Sequence, residues 1–417
     1  MGKARVQNLR AIELFAGVGG FRLALQKAGW EIVWSNQWEP ATKLQHASSC
    51  YTYKFGSYSH SNEDINSVVA LAENNQFNFP SADLIVGGFP CQDYSVAKSL
   101  RASKGINGKK GVLWWPLLKV IEIKKPKFVL LENVDRLLKS PAKQPGRDFA
   151  IMLKTLTEIG YVVEWRVINA ADYGFPQKRK RVFIYARRGK FAKDKLGQML
   201  NDSIFARAFP AELKGNPWDF DLDGETWELS RNFSKGKKKS PFGNAGIYDG
   251  KSVLTSDLRA TYRGKKVVLG DLIQPPKSVP SEYWIPESQL KSWRYLKGSK
   301  AIPRKSKSGH QYLYAEGAMS FPDSLTSPSR TILTAEGGSS PSRFRHVIQQ
   351  GTRFRRLTPI ELERLNGFPD DWTKFGANGQ RFSDSRRAFF MGNALVVGVI
   401  ERLAQEIARD ATRNKRI

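Results

Sequence analysis

Cysteine is nearly absent: Cys50 and Cys91 are the only two among 417 residues. Two thiols cannot build a disulfide framework, and such sparse usage points to an intracellular protein. Histidine is almost as scarce. His46, His60, His310 and His346 are scattered without metal-ligand spacing, so no zinc site is expected. No apolar run reaches membrane-spanning length, and the opening MGKARVQNLRAIELF lacks the architecture of a secretory signal. Met1-Gly2 is not a myristoylation start, because Val6 stands where Ser or Thr is required. No internal repeat is evident. Acid is also in short supply: 39 Asp and Glu stand against 67 Lys and Arg, a net charge of +28.

That imbalance argues for a polyanionic partner. The rest of the composition is that of an ordinary globular chain, 41% hydrophobic and 25% charged, long enough for two or more domains. The positive charge is clustered. Gln177 to Lys195 holds nine basic residues and one acid, SKGKKKS (234–240) holds four lysines, and RYLKGSKAIPRKSKSGH (294–310) holds six basic residues and no acid. Aromatics lie among or near these runs: Phe183, Tyr185, Phe242, Tyr295, Tyr312 and Tyr314. Basic side chains neutralise phosphates, and aromatics stack on bases or pack the loops.

The first 190 residues alternate strand and helix. AIELFA (11–16), EIVWSNQ (31–37), ADLIVGGF (82–89), KFVLLENV (127–134), YVVEWRVIN (161–169) and RVFIYARR (181–188) read as strands. Helical patterns lie at 20–29, 113–124 and 147–159. This order predicts an α/β fold with a doubly wound, mostly parallel sheet. Residues 191–328 are rich in Gly, Pro, Ser and Lys, show no long amphipathic helix after about Phe209, and predict a smaller loop-rich domain. Helical order returns at TPIELERLNGFP, with a Thr cap and Pro at the first helical position. A last helix over 393–411 is expected to pack back on the first domain, so that 329–417 completes it.

Three strand ends carry chemistry. FAGVGGFRLAL places a Gly-rich turn between strand and helix, where backbone can approach a ligand. It is not the GxGxxG fingerprint, and alone it is weak evidence, with a plain strand–helix turn as the lesser alternative. The second strand ends at SNQWEP, where such folds hold a ribose and an adenine, with Trp38 as the flat face. Asp64 fits either an adenine contact or a helix cap. GGFPCQDYS (87–95) displays Cys91 at the carboxyl end of a strand, whereas Cys50 reads as a passive core residue. Glu132 ends the strand FVLLENV on the same rim. Arg179 and Arg181 alternate in QKRKR and are therefore expected on one face.

FAGVGGFRLAL, GGFPCQ, LLENV, DYGFPQKRKRVFI, SRTILTAEGG and MGNALVVGVI, in this order, resemble the successive motifs of the DNA cytosine-5 methyltransferases. The likeness covers roughly 1–190 and 325–410, with the intervening insert standing where that family carries its target recognition region. It implies a Rossmann-like class I methyltransferase fold, S-adenosyl-L-methionine as cofactor, and a cytosine flipped out of duplex DNA as substrate. It further implies that Cys91 attacks C6, that Glu132 holds N4 and N3, that Arg179 contacts O2, and that Arg181 orders Cys91 and the base. Phe15, Ala16, Gly17, Val18, Gly20, Gln37, Trp38, Asp64, Ile65, Pro90, Leu113, Asn393, Ala394 and Leu395 would hold the cofactor. Gln92 and Ser95 belong to the loop that closes on DNA. Arg294, Lys297, Lys300, Arg304, Lys305 and Lys307 are the phosphate-contact candidates.

One departure stands out. The family usually carries an acid where this chain has Gln37, and Glu39, two residues on, is a candidate substitute. A tRNA cytosine-5 methyltransferase and a catalytically inactive DNA-binding homologue are the alternatives. A tRNA enzyme would usually carry Pro at the place of Phe89 and a shorter insert. The expected setting is bacterial and cytoplasmic: a monomer acting on duplex DNA, with no membrane, no metal, and a cognate restriction endonuclease that forms no stable complex.

Overall fold

The computed structural model describes residues 9–40, 42–89, 113–190, 193–306 and 309–413. It divides into two compact units: Met1–Tyr173 with Lys180–Gly264 and Val397–Ile417, and Gly174–Arg179 with Lys265–Val396. The first unit opens with β1 (Leu9–Leu14), α1 (Gly20–Lys27), β2 (Trp30–Asn36), α2 (His46–Phe55), β3 (His60–Ser61), α3 (Ile65–Glu73) and β4 (Leu84–Gly87). It continues with α4 (Trp114–Lys124), β5 (Phe128–Val134), α5 (Arg147–Glu158), β6 (Tyr161–Asn169) and β7 (Lys180–Arg188). The sheet order is β3-β2-β1-β4-β5-β7-β6, and the first five strands of that order run parallel. Their apolar runs are continuous because helices cover both faces. Ile12, Leu14, Ile85, Val129, Leu131 and Ile184 pack with Trp114, Leu117, Phe149 and Leu153.

The unit does not stop near residue 190. After α6 (Ile204–Ala208) and β8 (Ala211–Leu213), β9 (Trp218–Asp221), α7 (Thr226–Asn232), β10 (Ala245–Tyr248) and β11 (Ser252–Ser256) follow, and β12 (Leu258–Ala260) pairs with β8. Strands β10, β11 and β9 extend the large sheet antiparallel from β6 to ten strands. Gly246 explains why the extension is hard to see in the sequence: a Cβ there would lie 2.3 Å from the Trp165 ring. The strand must be thin where it meets β6, so a Gly stands where a β-former would have signalled a strand.

The second unit contains α8 (Glu287–Lys297), the hairpin β13 (Lys300–Lys305) with β14 (Gln311–Glu316), the pair β15 (Val347–Gln350) with β16 (Arg353–Arg356), α9 (Pro359–Asn366) and α10 (Asp384–Asn393). Helix α9 starts as expected, with Thr358 and Glu361 forming a capping box and Pro359 at the first turn. Glu361 is fully buried and is gripped by the Arg355 guanidinium at 2.6 and 2.9 Å. Helix α8 was not anticipated. Its buried contact rests on Trp293 and Lys297, too few apolar residues for a helical period to stand out.

The helix expected over 393–411 starts four residues later, as α11 (Val397–Arg413), and α10 ends at Asn393 just before it. Taken together, Asp384–Arg413 would be long and apolar enough to cross a membrane. The break at 394–396 divides it, however, and the apolar side of α11 is buried inside the first unit. There it packs on α1, and the Trp30 indole donates to the Ala404 carbonyl at 3.1 Å.

Candidate active site

The turn after β1 is built on left-handed backbone. Phe15, Gly17 and Gly19 have φ of 55°, 55° and 88°. For Phe15 that conformation costs on the order of 1 kcal/mol or more, strain of the kind that gathers at ligand sites. A Cβ on Gly17 would meet nothing within 4 Å, so open space lies before the turn. A Cβ on Gly19 would lie 2.4 Å from Phe55 and 3.3 Å from Tyr51, so α2 seats directly against the turn.

Beneath it, a buried network joins β1, α1 and α2. Glu13 accepts from the Arg22 amide (3.1 Å) and the Tyr51 hydroxyl (2.8 Å). The Tyr51 ring stacks on His60, whose nitrogens lie 2.9 Å from Ser35 Oγ and 2.8 Å from Ser48 Oγ. Burial pushes the His60 pKa down to about 4. Burial also pushes the Glu13 carboxyl up to about 7, against the pull of Tyr51 and Arg22. A carboxyl raised in the folded state stabilises the fold fully below its ordinary value near 4.5, and that stabilisation fades as pH rises through about 7. Glu13→Gln should therefore flatten the fall in thermal stability between pH 4.5 and 7, by a free energy on the order of 3 kcal/mol. An unchanged profile would put the slope elsewhere, for instance in Glu164, which burial also raises to about 7.

At the end of β2, Gln37 Oε1 accepts from the Gly17 amide at 2.7 Å. The amide oxygen thus engages the turn without a charge. Glu39 does not take this place: it accepts from the Ala47 amide at 3.2 Å and serves the start of α2. Trp38 is 37% exposed, a large aromatic face turned outward. Asp64 is the N-cap of α3, with Oδ1 accepting from the Asn66 amide at 3.0 Å, which is the cap reading of that residue. Ala16, Val18, Gly20 and Ile65 are buried in the same corner, and Leu113 packs partly buried against the core. Open space at Gly17 beside an outward-facing aromatic ring and hydrogen-bonding groups fits an adenosyl cofactor.

A polar rim forms where β4, β5 and β7 meet. Arg181 pairs with Glu132, Nε to Oε1 at 2.9 Å. Gly88 makes room for that carboxylate, since a Cβ there would lie 3.3 Å from Glu132 Oε2. Asn133, pointing to the opposite side of β5, donates to the Phe89 carbonyl at 3.0 Å. This clamp fixes the backbone two residues before Cys91, and reading the sequence missed it. The only signal was a second polar residue after the apolar run FVLL. Pro90, Cys91, Gln92, Ser95 and Lys307 lie outside the described residues. Cys50 is fully buried in α2, as a passive core residue should be.

Two expectations need correction. Arg179 is not a residue of the strand that carries Arg181, so alternation along that strand does not relate the two. β7 begins at Lys180, and Arg179 belongs to the second unit, where its guanidinium donates to the carbonyls of Ile332 (3.3 Å) and Gly392 (3.0 Å). Strand alternation holds only inside the ladder, which Arg179 precedes. Lys297 is not a phosphate contact. It is 1% exposed, its Nζ donates to the Arg345 carbonyl at 2.6 Å, and burial lowers its pKa to about 8 despite Asp323. Arg294, Arg304 and Lys305 are exposed, and Lys300 is half-buried. Asn393, Ala394 and Leu395 lie in the second unit, where Asn393 is the last residue of α10 and the other two follow it. Gly392 lets the backbone just before this segment approach Thr334, whose amide nitrogen would be 2.4 Å from an added Cβ, so the two stretches SRTILTAEGG and MGNALVVGVI meet at these residues within the second unit.

An open α/β sheet with a strained Gly-rich turn after its first strand defines a Rossmann-like methyltransferase fold. Dnmt2 of S. pombe has the same fold (TM-score 0.59, 16% identity, 97% of this chain and 99% of that one), as does EhMeth of Entamoeba histolytica (TM-score 0.57, 13% identity, 97% and 99%). The model of the C-5 cytosine-specific DNA methylases matches residues 9–409, and the chain belongs to that family. It is 45% identical to the Type II methyltransferase M.Sau3AI of Staphylococcus aureus over 97% of this chain and 96% of that protein. To M.SsoII of Shigella sonnei it is 29% identical, over 95% and 79%. To M.HhaI of Haemophilus parahaemolyticus it is 35% identical over 43% of this chain and 49% of that one. The protein is thus a DNA (cytosine-5) methyltransferase.

Proposed function

We propose that the enzyme methylates C5 of a cytosine flipped out of a specific duplex sequence, through a covalent Cys91–C6 intermediate. The observation that carries the reading is the Glu132–Arg181 pair beside Gly88, with Asn133 holding the backbone that leads to Cys91. The Cys91 thiolate adds to C6, which makes C5 nucleophilic. Glu132 holds the N3 and N4 edge and places a proton there. Arg181, already on Glu132, takes the base-facing role, including the O2 contact, while Arg179 braces the Gly392 backbone. Loss of the C5 proton and of the thiolate restores the ring.

S-adenosylmethionine supplies an electrophilic methyl group when bound. Phe15 to Gly20, Gln37, Trp38, Asp64, Ile65, Pro90, Leu113 and Asn393 to Leu395 are the residues proposed to hold it. Trp38→Ala should weaken cofactor binding about tenfold and leave DNA binding intact. Gln37→Glu should strengthen it if Gln37 reaches the ribose. Calorimetry showing neither change would remove this strand end from the pocket.

Target reading is proposed for the part of 191–328 that lies in the second unit, from Lys265 onward. Neutralising Arg294 and Arg304 should weaken all DNA alike and flatten the salt dependence by roughly one unit of slope per lost contact. An unchanged slope would make that run a solvated surface. By likeness to the Type II enzymes, we also propose a restriction–modification setting in a bacterial cytoplasm, a monomer, and a companion endonuclease without a stable complex. Tritium transfer from labelled cofactor to duplex DNA against tRNA tests the whole reading. Transfer to tRNA alone, or to neither, would overturn it.

A further inference from the structure

The hairpin of the second unit exposes what soluble proteins normally cover. β13 and β14 pair from Lys300↔Glu316 to Lys305↔Gln311, and strand alternation sorts their side chains onto two faces. One face is tied to its own unit at the end away from the tip, through Lys300 and Glu316, while Ile302, Arg304 and Tyr312 on the same face stay exposed. The Arg304 guanidinium lies 4.0 Å from the Tyr314 ring centroid, and Tyr314 donates to Glu316 at 2.9 Å. Arg343 grips Glu316 at 2.6 Å, and Lys300 Nζ donates to the Leu296 carbonyl at 3.3 Å. The other face consists of Ala301, Pro303, Lys305, Gln311, Leu313 and Ala315, and every one is exposed, Leu313 by 62%. Its middle is apolar and carries no charge, and Lys305 and Gln311 close the end nearest the tip. Among the described residues the hairpin forms a two-stranded sheet of its own, so no third strand covers an edge.

Resting on the reading of the protein as a duplex-DNA methyltransferase, we propose that this ribbon enters the major groove and reads bases with its exposed face. Leu313 would sit against a thymine methyl, and Gln311 would take the adenine edge. Size, charge and chemistry agree. A ribbon of six residues is about 20 Å long, with strands about 5 Å apart, and the major groove, about 12 Å wide, admits a two-stranded β-ribbon. Lys305 stands at the tip end of the face, Arg304 on the reverse of the ribbon and Arg294 in the helix that precedes it, all exposed, and no acid occurs from Arg294 to His310. That charge suits phosphate walls on either side of an apolar reader and is poorly suited to an ordinary protein interface. Apolar contact with the thymine methyl and a bidentate amide on adenine are the groove's own matches for Leu and Gln.

The test uses the full-length enzyme and a duplex bearing the sequence it methylates, found by bisulfite sequencing. Replacing each thymine in turn by deoxyuridine removes only the methyl, and replacing adenine by 7-deazaadenine removes only N7. One thymine and one adenine position should each weaken wild-type binding about fivefold or more. Leu313→Ala should lose the thymine effect alone, and Gln311→Ala the adenine effect alone. Both variants should keep cofactor affinity, non-specific DNA affinity and thermal stability. Four results would overturn the proposal: variants with unaltered site preference, equal weakening of specific and non-specific binding, a recognition sequence without an A·T pair, or a changed sedimentation coefficient of the DNA-free variants, which would make the face a protein interface. A wild type that methylates no duplex at all would instead remove the underlying reading, before the ribbon comes into question.

Discussion

Duplex DNA carrying 5-fluorocytosine at the target, incubated with the enzyme and S-adenosylmethionine, is expected to yield a complex that survives denaturing electrophoresis. The proposed adduct on C6 breaks down only when the C5 proton leaves. Fluorine at that carbon cannot leave as a cation, so the sulfur stays bound. Cys91→Ser should abolish the trapped species and nearly all methyl transfer, because a serine hydroxyl is far less acidic and a far weaker nucleophile. Cofactor and DNA affinity should survive, since neither contact needs the sulfur. Cys50→Ser should retain the trap and the activity, provided the packing of the fully buried side chain tolerates a hydroxyl. Methylation without a trapped species, or a trap mapping to Cys50, would end the covalent role proposed for Cys91.

The second large effect is expected at Glu132. A proton held on the base in the transition state typically contributes about 10²–10⁴ in rate. Glu132→Gln keeps the volume but removes the carboxylate paired with Arg181 at 2.9 Å. Turnover should fall within that range and the fluorocytosine adduct should form more slowly, with cofactor affinity unchanged. Arg181→Lys keeps a charge but not the planar fork that fits a carboxylate, so it should be impaired as well. Turnover of Glu132→Gln within about twofold of wild type would mean that the carboxylate serves the strand end and not the base.

Much of the first unit was legible because its strands are buried on both faces. FVLL and DLIV are runs that admit few readings, and YVVEWRVIN coincides with β6, Tyr161–Asn169. The rim could be located from the residues that end those runs, Glu132 among them. What was hidden is what depends on contact at long range. Helix α2 reads HASSCYTYKF, with little apolar periodicity, and is held by Glu39 at its start and by Tyr51 in the buried network. The antiparallel extension was obscured by Gly246, which β6 requires. Lys297 looked like one more basic surface residue because burial of a lysine leaves no mark in the sequence. Arg179 looked like a member of β7 because a ladder's first residue cannot be read from alternation alone.

The seating of α11 on α1 bears on how the chain is made. Trp30 waits for a carbonyl 374 residues further along, at Ala404. At bacterial or eukaryotic synthesis rates of about 5–20 residues per second, that partner emerges roughly 20–75 s later. For that interval the outer side of α1 has no helix to cover it, although β1, β2 and the Gly-rich turn are already out of the ribosome. The earliest part of the enzyme to be translated is therefore among the last to be finished, and a ribosome that stalls before residue 397 releases a chain with its own docking groove exposed and nothing to fill it.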